Sequence, residues 1–175
     1  SLGTHDTPRI LTLLGTGHEG QHESKDWRAA YRMTEEERVR GLARLKAGAT
    51  LLYAFPGSPT VYYGDEAGLC GFTDPDNRRP YPWGKEDTEL IEWYTQLGNL
   101  RNNKVLLDGN MSIKYANNSA VIYERVKDDN KVIVAVNMSH DNFEFVVERN
   151  MFNFITGEHT SGRINLAPNS AIILC

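Results

Sequence analysis

An α/β segment followed by a small antiparallel β domain is the fold class that the sequence predicts. Three observations predict it. Helix-type patterns over residues 34–54 and 86–102 bracket a short β-prone run at 60–63. From about residue 106 the chain changes to short strand-like runs. Turn signals divide those runs roughly every 8–12 residues, the spacing of an all-β sandwich. The expected boundary therefore separates residues 1–105 from 106–175.

The elements follow in order. Ile10, Leu11, Leu13 and Leu14 form a short apolar run that Gly15 and Gly17 end. Residues 15–32 read as polar and irregular, with His18, His22 and Trp27 among them. Thr34 and Glu37 have the spacing of a capping box, in which each side chain bonds the other's backbone N–H. Glu35, Glu36 and Glu37 also suit the positive end of a helix dipole. Val39, Leu42, Ala43, Lys46 and Ala47 supply an i, i+3, i+4 face, and Pro56-Gly57 stops the helix. Thr60-Val61-Tyr62-Tyr63, between Pro59 and Gly64, reads as a buried strand. Leu90, Trp93, Tyr94, Leu97 and Leu100 share one face of the next helix. Strand-like runs then fall at 111–115, 120–126, 131–137, 142–147, 152–155 and 171–174. No internal repeat or low-complexity segment interrupts them.

Composition narrows the function. Hydrophobic content of 40%, charged content of 24% and a net charge of −4 are those of an ordinary globular protein without a basic nucleic-acid footprint. No run of about 20 apolar residues is present to span a membrane. Cys70 and Cys175 stand in unrelated contexts and read as two free thiols in a reducing compartment, with a cytoplasmic location expected. Ser1-Leu2-Gly3-Thr4-His5-Asp6-Thr7 lacks an initiator Met and a signal peptide, and reads like the interior of a larger protein.

The chemistry concentrates in residues 56–83. This stretch carries Asp65-Glu66, then Asp74, Asp76, Arg78 and Arg79, and closes on Tyr81 and Trp83. Carboxylates, guanidinium groups and flat rings together suit a ligand with many hydroxyls and apolar faces, that is, a sugar. Asp74 and Arg78, four residues apart, could bind vicinal hydroxyls or form a surface ion pair that holds the loop. Tyr81 and Trp83 could stack on a sugar ring, but packing of the loop onto the second helix is the expected role. Tyr62 and Tyr63 are expected in the core. Asp6 could cap the Thr7-Pro8-Arg9 turn.

Two motifs carry a family resemblance: Leu2-Gly3-Thr4-His5-Asp6-Thr7-Pro8-Arg9, and Pro56-Gly57-Ser58-Pro59-Thr60-Val61-Tyr62-Tyr63-Gly64-Asp65-Glu66 followed by Asp74-Pro75-Asp76-Asn77-Arg78-Arg79-Pro80. At this spacing the chain resembles the α-amylase family of glycoside hydrolases, especially its cyclomaltodextrinase and neopullulanase branch, from Leu2 to the end. The resemblance implies that residues 1–105 are the last two βα units of a (β/α)8 barrel, with 60–63 as the eighth strand. Residues 106–175 would be the C-terminal β-sandwich. It also implies an α-glucan substrate; no cofactor and no metal are expected. Asp6 would be the family's third carboxylate, which stabilises the transition state. His5 would donate to the same sugar, and Asp74 with Arg78 would contact sugars toward the non-reducing end. The nucleophilic Asp and the acid/base Glu of the family have no counterpart here, so the chain alone is expected to be inactive. A slice of a barrel leaves strand edges bare, so docking on the rest of the enzyme or self-association is expected. The alternative is a non-catalytic carbohydrate-binding or structural module.

His18-Glu19-Gly20-Gln21-His22 is formally an H-E-x-x-H zinc signature. That motif needs a helix, and the surrounding glycines point to a loop.

Overall fold

Thr34 and Glu37 exchange the two bonds of a capping box. The Glu37 N–H donates to Thr34 Oγ1 at 3.2 Å, and the Thr34 N–H donates to Glu37 Oε2 at 2.8 Å. The helix they start is the longest in the computed structural model, which describes all residues, Ser1–Cys175. In chain order the helices are α1 (Ile10–Thr16), α2 (Lys25–Ala30), α3 (Glu35–Ala54), α4 (Thr88–Leu100) and α5 (Lys104–Asp108). Six strands follow: β1 (Asn110–Ala116), β2 (Ala120–Lys127), β3 (Asn130–Asn137), β4 (Phe143–Phe152), β5 (His159–Leu166) and β6 (Ser170–Leu174). No helix is long and apolar enough to cross a membrane. The chain divides into two units, one of Ser1–Lys46 with Pro59–Gln96 and one of Ala47–Ser58 with Leu97–Cys175.

In the first unit α1 crosses α3 on two glycines. A Cβ at Gly15 would lie 2.5 Å from the Glu37 carbonyl oxygen, and one at Gly41 would lie 2.9 Å from the Leu11 carbonyl oxygen. Nothing larger than hydrogen fits at either position, so the two helix backbones nearly touch. This close crossing rotates the buried stripe of α3 away from the sequence-based face. Gly41 and Leu45 are buried, while Val39 is 58% exposed. Arg40 closes the junction by donating to the Gly15 carbonyl from Nε at 3.0 Å. Ser24 starts α2, a helix the sequence reading passes over, by accepting from the Trp27 N–H at 3.1 Å.

Residues 60–63 differ from expectation. They pair with no strand and run into a turn, with the Asp65 N–H donating to the Tyr62 carbonyl at 3.1 Å. A β-prone segment becomes a ladder only beside a partner strand, and this segment meets none.

The second unit is built on two antiparallel sheets, of order β1-β2-β3-β6 and β4-β5. Ile122, Ala135, Ile172 and Leu174 from the larger sheet meet Val147, Met151, Ile164 and Leu166 from the smaller one in a single core. β3 is one of the two interior strands of its sheet, and Val134, Ala135, Val136 and Asn137 are all buried. Burial on both sides replaces the alternation an exposed strand would show. The expected strand at 152–155 is a correction: β4 ends at Phe152, and Asn153 makes only a lone bridge to Leu174. β4 pairs with β5, which the strand-like runs do not include, from Phe143↔Leu166 through Phe152↔His159. Arg125 is buried without a carboxylate partner. It donates to the Ala54 carbonyl at 3.0 Å and to the Gly109 carbonyl at 3.1 and 2.8 Å.

Candidate functional site

The site begins with a short turn. The Thr7 N–H donates to the Thr4 carbonyl at 3.3 Å, and the Thr4 N–H donates to Thr7 Oγ1 at 2.9 Å. The turn presents His5 and Asp6 to solvent, with side chains 66% and 71% exposed. A Cβ at Gly3 would stand 2.8 Å from Asp65 Oδ2, so a larger residue would displace that carboxylate.

The second wall is the loop from Gly71 to Arg79. Asp76 folds it inward by accepting from the Phe72 N–H at 2.7 Å and from Arg79 Nε at 2.8 Å. Gly71 permits the closure, since a Cβ would lie 2.4 Å from the Asp76 carbonyl oxygen.

All four residues singled out from the sequence come together around one guanidinium group. Arg78 Nε lies 3.0 Å from Asp74 Oδ1 and 3.2 Å from the His5 carbonyl oxygen. Arg78 Nη2 lies 3.7 Å from Asp6 Oδ1, and His5 Nε2 lies 3.2 Å from Asp6 Oδ2. These groups are open to water, so the ion pairs themselves add little stability. Their placement still matters: two carboxylates, an imidazole and a planar fork present donors and acceptors on one surface.

Two buried residues hold that surface in place, and sequence reasoning passed over both. Asn77 has no exposed surface, and its Nδ2 donates to the His5 and Thr7 carbonyls at 2.8 Å each. Arg9 is 1% exposed and donates from Nε to the Asn77 carbonyl at 2.6 Å. Its Nη1 donates to the Tyr63 carbonyl and lies 3.2 Å from Asp65 Oδ1. The guanidinium carbon sits 4.2 Å from the Tyr62 ring centroid and 4.5 Å from that of Tyr63. The two tyrosines thus act as a cation–π cradle; within this chain Tyr62 is half-buried and Tyr63 is 41% exposed.

Asp65 titrates unusually. Burial pushes its carboxyl up to about 6, the Arg9 guanidinium opposes that rise, and Glu66 adds to it. Desolvation therefore outweighs the ion pair at this carboxyl. Because it faces Arg9 in the interior, Asp65 is a structural acid.

Trp83 corrects another expectation. It is 81% exposed and does not pack the loop onto a helix; its neighbour is the Tyr81 ring, with centroids 4.5 Å apart. The H-E-x-x-H segment lies in bends and turns between α1 and α2, with the His18 ring stacked 5.2 Å from that of Phe72.

Known proteins share this sequence and fold. No protein-family model matches the chain. The chain is 42% identical over 125 residues to an amylopullulanase of Thermoanaerobacter thermohydrosulfuricus, covering 71% of the chain and 8% of that enzyme. It is 28% identical over 189 residues to neopullulanase 2 of Thermoactinomyces vulgaris, covering 99% of the chain and 28% of that protein. An Anoxybacillus α-amylase structure superimposes with a TM-score of 0.79 at 26% identity, covering 99% of this chain and 36% of that one. The chain belongs to the α-amylase family. It spans less than a third of the length of either curated relative. Within this α-amylase-family chain the His5-Asp6 turn and the Asp74–Arg78 loop form one continuous surface, tied together by Asn77.

Proposed function

We propose that this chain supplies one wall of the active site of a retaining α-glucan hydrolase acting on maltooligosaccharides, cyclodextrins or related glucans. In this reading residues 1–105 are the last two βα units of a (β/α)8 barrel and 106–175 its C-terminal β-sandwich. The unpaired segment 60–63 would then be an eighth strand that completes its ladder against strands outside this chain. Retaining hydrolysis needs a nucleophile and an acid/base roughly 5–5.5 Å apart across the scissile bond. Those two acids would come from the rest of the enzyme, which is therefore this chain's first partner, with self-association through the bare edge as the alternative.

The observation that carries the reading is the arrangement around Arg78, whose guanidinium group faces Asp6 on one side and Asp74 on the other. Asp6 would accept hydrogen bonds from the 2- and 3-hydroxyls of the sugar being cleaved. Such bonds strengthen as the ring gains oxocarbenium character. His5 would donate to the same sugar, and Asp74 with Arg78 would hold the next sugars by their vicinal hydroxyls. None of these steps calls for a cofactor or metal. The two free thiols, Cys70 and Cys175, accord with a reducing compartment such as the cytoplasm.

The test is an assay of the chain alone and of the full enzyme on maltooligosaccharide, cyclodextrin and pullulan. The expected result is hydrolysis by the full enzyme and none by the chain. Robust hydrolysis by the chain overturns the proposal. Exposed Trp83 on Tyr81 favours one second reading, a carbohydrate-binding role for the chain by itself. Calorimetric titration with maltoheptaose decides that: saturable binding that Trp83→Ala abolishes supports it, and absence of heat excludes it.

A further inference from the structure

We propose that the first unit holds a binding site for a small tetrahedral oxyanion of the phosphate or sulfate class. The site is a cavity of about 210 Å³ walled by α2, the start of α3 and the Cys70–Phe72 segment, with Asp76 and Arg79 alongside. Four arginines line it, Arg28, Arg32, Arg38 and Arg79, against one carboxylate, Asp76.

Partners sort these arginines into two pairs. Arg79 is matched by Asp76, with Nε 2.8 Å from Oδ1. Arg38 is matched by Asp87, with Nη2 2.6 Å from Oδ2. The other two meet only neutral acceptors. Arg32 Nη1 donates to the Ala29 and Tyr31 carbonyls at 2.9 and 2.7 Å. Arg28 Nη1 donates to Thr73 Oγ1, and at 3.4 and 3.5 Å to the Thr73 and Asp74 carbonyls. Arg28 is 8% exposed, and its Nε has no acceptor at all. An always-charged group more than nine-tenths buried, with a donor left over, is costly unless an anion joins it. Glu37 pairs with neither arginine: its carboxylate accepts the single proton of the Tyr31 hydroxyl, 2.8 Å from both oxygens, and the Thr34 N–H at 2.8 Å.

Size and shape select the ligand. Pockets for drug-sized molecules run from about 300 Å³ upward, so this one suits a single small ion. Guanidinium forks bind the oxygens of phosphate or sulfate in pairs, which a spherical halide cannot reproduce. The Thr12 hydroxyl also lines the cavity, but it already accepts from the Gly71 N–H at 2.9 Å. The Cys70 thiol in the same wall is pushed up by burial, so it stays protonated and uncharged and does not compete with an incoming anion. Because Arg28 also holds the Thr73 and Asp74 carbonyls, an ion here would stiffen the root of the Asp74–Arg78 loop.

The experiment is a titration of the chain with sodium phosphate against sodium chloride at matched ionic strength, read by NMR at the arginine Nε–H resonances. A saturable shift of the Arg28 resonance with phosphate and none with chloride is expected. Arg28→Gln should abolish binding, and Arg32→Gln, whose partners are carbonyls of its own segment, should weaken it about 10-fold. Arg163→Gln, in the other unit, should bind as the native chain does. If Arg28→Gln fails to fold, Arg32→Gln decides alone. A shift equal in chloride, a shift that does not saturate, or native affinity in Arg32→Gln overturns the proposal.

Discussion

Replacing Asn77 by alanine separates the two walls of the site without touching a group that would meet substrate. The side chain has no exposed surface and makes two donor bonds, each 2.8 Å, to the His5 and Thr7 carbonyls. A neutral hydrogen bond is worth roughly 0.5–1.5 kcal/mol net, and part-buried carbonyls recover some of that from water. The two bonds together then give a loss of about 2 kcal/mol. In a protein of this length each kcal/mol moves Tm by roughly 2–4 °C, so a drop of about 4–8 °C is expected in differential scanning calorimetry. Hydrogen exchange locates the loss. The Arg9 N–H, bonded to the Gly71 carbonyl at 2.9 Å, joins the same two segments. Its exchange should quicken by up to about 30-fold, the equivalent of 2 kcal/mol, while β3 amides stay unchanged. A Tm within a degree of the native chain, together with native protection at Arg9, would refute the claim that Asn77 clamps the turn.

Three further outcomes follow from other residues. The Asp65 carboxyl is raised to about 6, so the folded state binds more protons than the unfolded state between about pH 4 and 6. Its contribution to stability is thus fully present below about pH 4 and lost as pH rises through about 6. Carbon-detected NMR should find its midpoint near 6, and a midpoint in the usual carboxylate range contradicts the burial argument. Arg125→Met should cost about 3 kcal/mol in urea denaturation, because the buried Ala54 carbonyl and the half-buried Gly109 carbonyl lose three donor bonds between them; an unchanged midpoint would mean that water replaces the guanidinium. Gly15→Ala should cost roughly 1–3 kcal/mol, since its Cβ would lie 2.5 Å from the Glu37 carbonyl oxygen; a neutral effect would show that α1 can slide.

What the sequence discloses here is local. The α3 cap is legible because Thr34 and Glu37 meet within one turn, and the β1–β3 meander because its turns are marked by Asn117-Asn118 and Asp128-Asp129-Asn130. The strand β5 is not, since only Ile164 and Leu166 of its eight residues are buried and Gly162 interrupts it. His5, Asp6, Asp74 and Arg78 stand out as chemistry-bearing types inside two specific motifs. Arg9 and Asn77 do not, because their roles are bonds to backbone carbonyls far along the chain, and no residue type or spacing announces those. Trp83 reads as a packing residue by composition alone, and only its surroundings show a ring left in solvent.

The most direct test of the central claim, that Asp6 faces the reacting sugar, is kcat for Asp6→Asn in the full-length enzyme. Hydrogen bonds that strengthen in the transition state supply several kcal/mol, so kcat should fall by roughly 10²–10⁴-fold. Calorimetric stability should hold, because the Asp6 side chain is 71% exposed. A variant that keeps kcat within a factor of about three of the native enzyme would contradict the assignment.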